Sequence, residues 1–218
     1  MKAMKIIFWI LVLLSLPVCL IALPFLPELI PAHYDINWTV DRWGSKYETL
    51  IFPAMNLIMA AIFFFSARYS AKREANPRSA VKVCYITGIS CCLFFDVLSG
   101  IFLYMDFNSV EQLAPPLDIT KLVFALMGVM FIVIGLIMPR QQMNSVFGIR
   151  TRSSMASPYL WRVSQLFGGV AFAVAGVLSI LCCIFTSGMT CMMICIGSIA
   201  IASIAASIFP AIILRRVN

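Results

Sequence analysis

Six long apolar stretches divide the chain, at residues 6–26, 49–67, 83–105, 119–138, 165–185 and 190–214. Each is close to the roughly 20 residues that an α-helix needs to cross a hydrocarbon core of about 30 Å. Continuous runs of this length predict helices rather than the short alternating strands of a membrane barrel. Backbone polar groups in lipid must be satisfied within the spanning segment itself, which again selects helices. The pattern therefore predicts an all-α, polytopic membrane protein with six transmembrane helices.

The connections have distinct characters. The first outer loop, 27–48, is long, aromatic and charged, while the first inner loop, 68–82, is basic and carries the turn signal Asn76-Pro77. The second outer loop, 106–118, is acidic and contains Pro115-Pro116; the second inner loop, 139–164, is the longest on its side. A short turn at 186–189 predicts an antiparallel hairpin of the last two helices. Pro17, Pro53 and Pro210 fall within apolar runs and predict kinks, since each removes a donor and clashes with the preceding turn. Gly168, Gly169, Ala173 and Gly176, with Gly197, Ala200, Ser203 and Ala206, supply small faces for close helix packing. We find no separate soluble domain and no convincing repeat. The chain reads as a single integral domain over 1–218, with a first helix pair at 1–67 around the 27–48 loop and a last helix pair at 139–218.

Charge adds an orientation. With the N-terminus cytoplasmic, all of the 16 basic residues except Arg42, Lys46 and Lys121 lie inside. The positive-inside rule then places both termini in the cytoplasm. Glu28, Asp35, Asp41, Glu48, Asp106, Glu111 and Asp118 fall outside. The net charge of +7 is thus expected to face anionic lipid, with no direct binding of nucleic acid. The first stretch is read as a retained span rather than a signal peptide, because it is long and lacks a small-x-small cleavage site. The eight cysteines and thirteen methionines are read as apolar packing residues, in preference to a disulfide framework or copper handling.

Two segments exceed what topology requires. Residues 30–46 gather the only histidine, two aspartates and several aromatics: Ile30-Pro31-Ala32-His33-Tyr34-Asp35-Ile36-Asn37-Trp38-Thr39-Val40-Asp41-Arg42-Trp43-Gly44-Ser45-Lys46. An interfacial aromatic collar of Tyr34, Trp38, Trp43 and Tyr47, with salt links from Asp41 to Arg42 or Lys46, is one account. A metal site of His33, Asp35 and Asp41 is a weaker one, and no metal is assigned. The second segment runs through Asn144, Phe147-Gly148-Ile149-Arg150-Thr151 and Trp161. Ser157 before Pro158 predicts a helix start and a helix over 158–185, about 42 Å long, whose first turns project into the interface. Asp96, near the middle of the third span, is costly in lipid and is expected to face other helices near Asn56 or Ser90.

Both segments resemble the two motifs of the SdpI family of bacterial membrane proteins, whose type member confers immunity to a secreted sporulation-delaying toxin. Pro31, His33, Tyr34, Asp35, Asn37, Asp41, Arg42, Trp43, Gly44, Ser45, Lys46 and Pro53 carry the first resemblance. Asn144, Phe147, Gly148, Ile149, Arg150, Thr151, Trp161 and Gly169 carry the second. Departures include Trp38, Val40, Arg152, Gln165 and Leu166.

The resemblance implies a receptor-like immunity protein, multi-pass in the bacterial inner (cytoplasmic) membrane with its N-terminus inside. His33, Tyr34, Asp35, Asn37, Asp41, Trp43 and Lys46 would recognise a secreted peptide toxin or envelope signal. Asn144, Phe147, Gly148, Arg150, Thr151 and Trp161 would face a cytoplasmic transcriptional repressor. Asp96, an intramembrane polar candidate together with Asn56, and the proline-broken helices instead support the alternative of a transporter or flippase-like exporter of an amphiphilic toxin or lipid-like substrate. No catalytic motif is found, so no enzymatic activity and no cofactor are expected.

Overall fold

The computed structural model describes residues 1–35, 39–74, 76–108 and 119–217. Its helices are α1 (Lys2–Val12), α2 (Ser15–Ala22), α3 (Ile51–Arg73), α4 (Pro77–Asn108), α5 (Ile119–Ile137), α6 (Pro158–Phe185) and α7 (Gly188–Val217). Two strands, β1 (Leu29–Tyr34) and β2 (Val40–Ser45), lie between α2 and α3. Among the described residues, six helical segments are long and apolar enough to cross a membrane, with α1 and α2 together forming the first. Large apolar side chains such as Ile21, Phe65, Ile184 and Ile201 face outward, as lipid contact requires.

The break in the first span follows from Pro17. Its ring lacks a donor for the Leu13 carbonyl, four residues back, and crowds it. The helix tightens there: Leu13 donates to Trp9 O at 3.1 Å and Leu14 to Leu11 O at 3.2 Å before α2 begins. Pro53, by contrast, does not interrupt α3. It occupies the first turn, where its missing N–H would have had no intrahelical partner. The kink expected there gives way to a 3-10 turn, Lys46–Leu50, leading into the helix.

Packing divides the bundle into two halves. Phe8 and Val12 of α1 pack with Ala60, Phe63 and Ala67 of α3 and with Cys84, Tyr85 and Cys92 of α4. The other half is built on glycine. A Cβ at Gly135 would lie 2.5 Å from Gly169 O, and one at Gly176 would lie 2.5 Å from Gly128 O. Any side chain at these positions would push α5 and α6 apart. The start of α6 is as predicted: the Ser157 hydroxyl accepts from Leu160 N at 3.2 Å, and Pro158 holds the first turn.

The principal departure from an all-helical reading is at 29–45, read from sequence as a loop. The two strands form an antiparallel hairpin pairing Leu29 with Ser45, Ile30 with Gly44 and Pro31 with Trp43. Its register then shifts on either side of His33, which pairs with Arg42. Ala32 and Asp41 are the extra residues, and bulges of this kind re-aim neighbouring side chains.

Candidate functional site

The hairpin sits over the ends of α3 and α4 and encloses a half-open cavity of about 340 Å³. Ile30, Pro31, Ala32, Phe52 and Phe102 give it apolar walls; His33 and Tyr34 line it from β1, and Thr49 and Asp106 from the bundle. Asp106 is 2% exposed and accepts a hydrogen bond from Thr49 Oγ1 at 2.7 Å. The site therefore combines apolar walls with one deeply buried carboxylate. Burial, followed by the proximity of Asp106, pushes the Tyr34 hydroxyl up to about 12.

Polar pairing fixes the hairpin. His33 Nδ1 lies 2.6 Å from Asp41 Oδ1. Asp35 accepts from Thr39 N at 2.9 Å and from Thr39 Oγ1 at 2.8 Å, closing the turn. Arg42 forms two bonds to Glu48, at 2.8 and 3.1 Å, and its guanidinium is raised above its ordinary value by that hydrogen bond and charge. Lys46 Nζ meets Glu28 at 2.8 Å. The Asp41 links to Arg42 or Lys46 expected from sequence are thus replaced by pairs with longer reach. His33, Asp35 and Asp41 form no shared metal-ligand set among the described residues, because Asp35 is turned to Thr39.

The Gly-Ser-Lys run has a physical account. A Cβ on Gly44 would lie 2.6 Å from Ala32 Cβ and would strike the Glu48 carboxylate that holds Arg42. Ser45 Oγ accepts from Tyr47 N at 3.5 Å, capping the 3-10 turn, and Lys46 anchors back to Glu28. Trp43 and Tyr47 are exposed, as a collar requires, whereas Tyr34 turns inward to the cavity. Asn37 and Trp38 lie outside the described residues, as do Glu111 and Asp118.

At the opposite end, the loop 141–157 packs between the α3–α4 turn and α6. Asn144 Oδ1 accepts from Val146 N at 3.0 Å and Phe147 N at 2.7 Å, while its Nδ2 donates to Gln142 O at 2.9 Å. Phe147 stacks on Phe63 of α3, with ring centroids 6.0 Å apart. Gly148 adopts φ +101°, where other residues are strained, and a Cβ there would meet the Gln165 side chain. Gln165 holds the next residue at both ends, accepting from Ile149 N and donating to Ile149 O, each at 3.0 Å. Thr151 and Ser154 cap each other's backbone N–H groups. Trp161, 2% exposed, donates from Nε1 to Gln141 O at 2.9 Å. Arg150, Arg152 and Arg162 are exposed.

Sequence reasoning missed several of these supports. Glu74 accepts from Ser145 N and Oγ, tying the loop to the end of α3, and Asn76 donates to Gln142 at 2.8 Å. No local signal marks Glu74, because its partner is 71 residues away. Gln165 and Ser154 also lay outside the expected motif residues.

Within the bundle, Asn56 Nδ2 donates to Asp96 Oδ1 at 2.8 Å, linking α3 to α4. Ser15 of α2 also faces Asp96. Among the described residues, Asp96 Oδ2, Asn56 Oδ1 and the Ser15 hydroxyl are buried without a hydrogen bond of ordinary geometry, although Ser15 and Asp96 lie close enough to interact. Ser90, the other neighbour considered for Asp96, instead donates to Ile86 O within its own helix.

Residues 140–211 match the SdpI/YfhL protein family. Residues 10–57 match a domain of unknown function, DUF1648. This multi-pass membrane chain is thus similar to the SdpI/YfhL family over its last third, and neither match reaches half of the chain. The first covers the loop around Asn144 to Trp161 and most of the last helix pair, and the second covers the hairpin without assigning it a role. No curated protein and no solved structure matched the chain.

Proposed function

We propose that this protein is a receptor-like immunity protein of the bacterial cytoplasmic membrane, with no catalytic activity. Its hairpin faces outward and recognises a secreted amphiphilic peptide. The observation carrying this reading is the cavity beneath the hairpin, with apolar walls and the buried Asp106 carboxylate. An apolar peptide segment fits the walls, and a cationic or donor group meets Asp106 or the His33–Asp41 pair. The exposed arginines at the other end offer a basic surface to a cytoplasmic partner of acidic character, in the manner of a sequestered repressor.

The two ends share rigid connections. The α3 helix starts beneath the hairpin and ends at Glu74, which binds the loop at Ser145; along the way Phe63 stacks on Phe147. A ligand that shifts the start of α3 thereby acts on the loop through one continuous element, provided that it binds the two arrangements unequally. Survival of a sensitive strain challenged with the sporulation-delaying toxin tests the reading. Wild type should protect, while His33→Ala and Arg150→Ala should protect less at equal membrane abundance. Equal protection by all three, or none by wild type, would overturn it.

One observation favours a second reading, export of an amphiphilic substrate. The buried polar cluster of Asp96, Asn56 and Ser15 inside the bundle, poorly hydrogen-bonded among the described residues, suits a site that binds a proton or substrate group during transport. Substrate-dependent flux in reconstituted vesicles, abolished by Asp96→Asn, would select export. Absence of flux in wild-type vesicles would eliminate it.

A further inference from the structure

Four of the eight cysteines converge where α6 turns into α7. The Cys182, Cys191 and Cys195 sulfurs all lie within 4.8 Å of one another, and Cys183 Sγ is 3.7 Å from Cys191 Sγ. The convergence is built by two helices. Cys182 and Cys183 occupy the last turn of α6, while Cys191 and Cys195 are four apart on α7 and so share one face. All four are buried, at 0–7% exposure. Phe124 completes the cluster, and Met127 of α5 and Met192 of α7 pack against it.

We propose that this cluster is a binding site for one soft monovalent metal ion of the copper(I) class, held by Cys182, Cys191 and Cys195 with Cys183 beside them. Ligand chemistry selects the ion. The nearby donors are thiols backed by thioethers, the set that favours copper(I), whereas hard cations require oxygen. Three sulfurs each about 2.3 Å from a metal in their plane sit about 4 Å apart, so small side-chain rotations complete the geometry. The apolar surroundings favour the lowest net charge. A copper(I) ion joining two thiolates and a third sulfur leaves a single negative charge, whereas zinc in four thiolates leaves two.

No electron changes hands on binding. Two of the ligated thiols become thiolates and release one proton each to water, the third sulfur stays a neutral thiol, and the ion enters already in its monovalent state. Cys182 accepts or donates a hydrogen bond with Thr186 at 2.9 Å, placing the cluster about one helical turn below the α6–α7 turn. That depth gives an ion a short entry path.

The test is anaerobic titration of the full-length protein in detergent with copper(I) bicinchoninate, a coloured competitor. Wild type should withdraw one copper(I) per chain, and the double variant Cys191→Ser, Cys195→Ser should withdraw none. Cys84→Ala, which removes a buried thiol in the other half, should bind as wild type does. Should the double serine variant fail to fold, Cys191→Ala with Cys195→Ala gives the same reading with apolar replacements. X-ray absorption of the wild-type complex, which needs no variant, should show sulfur-only coordination. No withdrawal by wild type, withdrawal unchanged in the double variants, withdrawal lost equally in Cys84→Ala, or nitrogen and oxygen ligands at the metal would each overturn the proposal.

Discussion

The hairpin at 29–45 and the loop at 141–157 are about equally rich in polar and aromatic residues, yet they use them in opposite ways. In the hairpin, ionisable side chains pair with one another: His33 with Asp41, Arg42 with Glu48, Lys46 with Glu28. In the loop, neutral side chains bond backbone groups. Asn144 and Gln165 each hold two or more, and Trp161 reaches the Gln141 carbonyl. Exposed ion pairs contribute little to stability and rearrange readily, whereas a buried group that loses its partner is costly. The hairpin is thus suited to adapting to a ligand, and the loop to holding the helices that the hairpin touches.

Trp161→Ala should break this contrast most severely. It opens a buried cavity and leaves the Gln141 carbonyl without its donor, for a loss of about 3–5 kcal/mol. Thermal unfolding in detergent should show a large drop in midpoint. A small drop would mean that the loop is no firmer than the hairpin. Gly148→Val should follow at about 1–2 kcal/mol for the left-handed backbone alone. Displacing Gln165 from Ile149 would add to that loss, and Gly148→Asn should recover part of it because Asn tolerates positive φ.

These two positions also show what the sequence can reveal. The six spans, the start of α6 at Ser157-Pro158 and the Asn56–Asp96 pair follow from apolar run length, capping chemistry and the cost of charge in lipid. Gly148 and Trp161 stand out as residue types whose order topology does not demand. The partners are invisible, since Gln165 meets Ile149 across 16 residues, Trp161 meets Gln141 across 20, and Glu74 meets Ser145 across 71. The hairpin was hidden for a different reason. Pro31 within β1, bulges at Ala32 and Asp41, and charged outward positions erase the alternation that marks a strand. The cavity is less legible still, because Phe102 and Asp106 come from the far end of α4.

Substitution on the hairpin should read out in ligand response rather than stability. Arg42→Ala removes both bonds to Glu48 but leaves no buried group stranded. The unfolding midpoint should stay within error of wild type. A large drop would make the Arg42–Glu48 pair as structural as the contacts around Asn144, and the contrast between the two ends would fail.

The smallest expected effect probes the floor of the cavity. The Tyr34 hydroxyl is pushed up to about 12 from its ordinary value of 10, first by burial and second by Asp106. The folded protein therefore binds the phenolic proton more tightly than the unfolded chain does. The resulting stability is fully present below pH 10 and is lost as pH rises through about 12. Tyr34→Phe should remove that part of the alkaline loss, measured as the difference in unfolding midpoint between neutral and alkaline buffer. Asp106→Asn keeps an acceptor for Thr49 but removes the charge, so phenolate absorbance should show Tyr34 ionising at lower pH while burial still holds it above 10. An unchanged titration would mean that the carboxylate does not act on the hairpin across the cavity. The link from cavity to bundle would then rest on apolar contact alone.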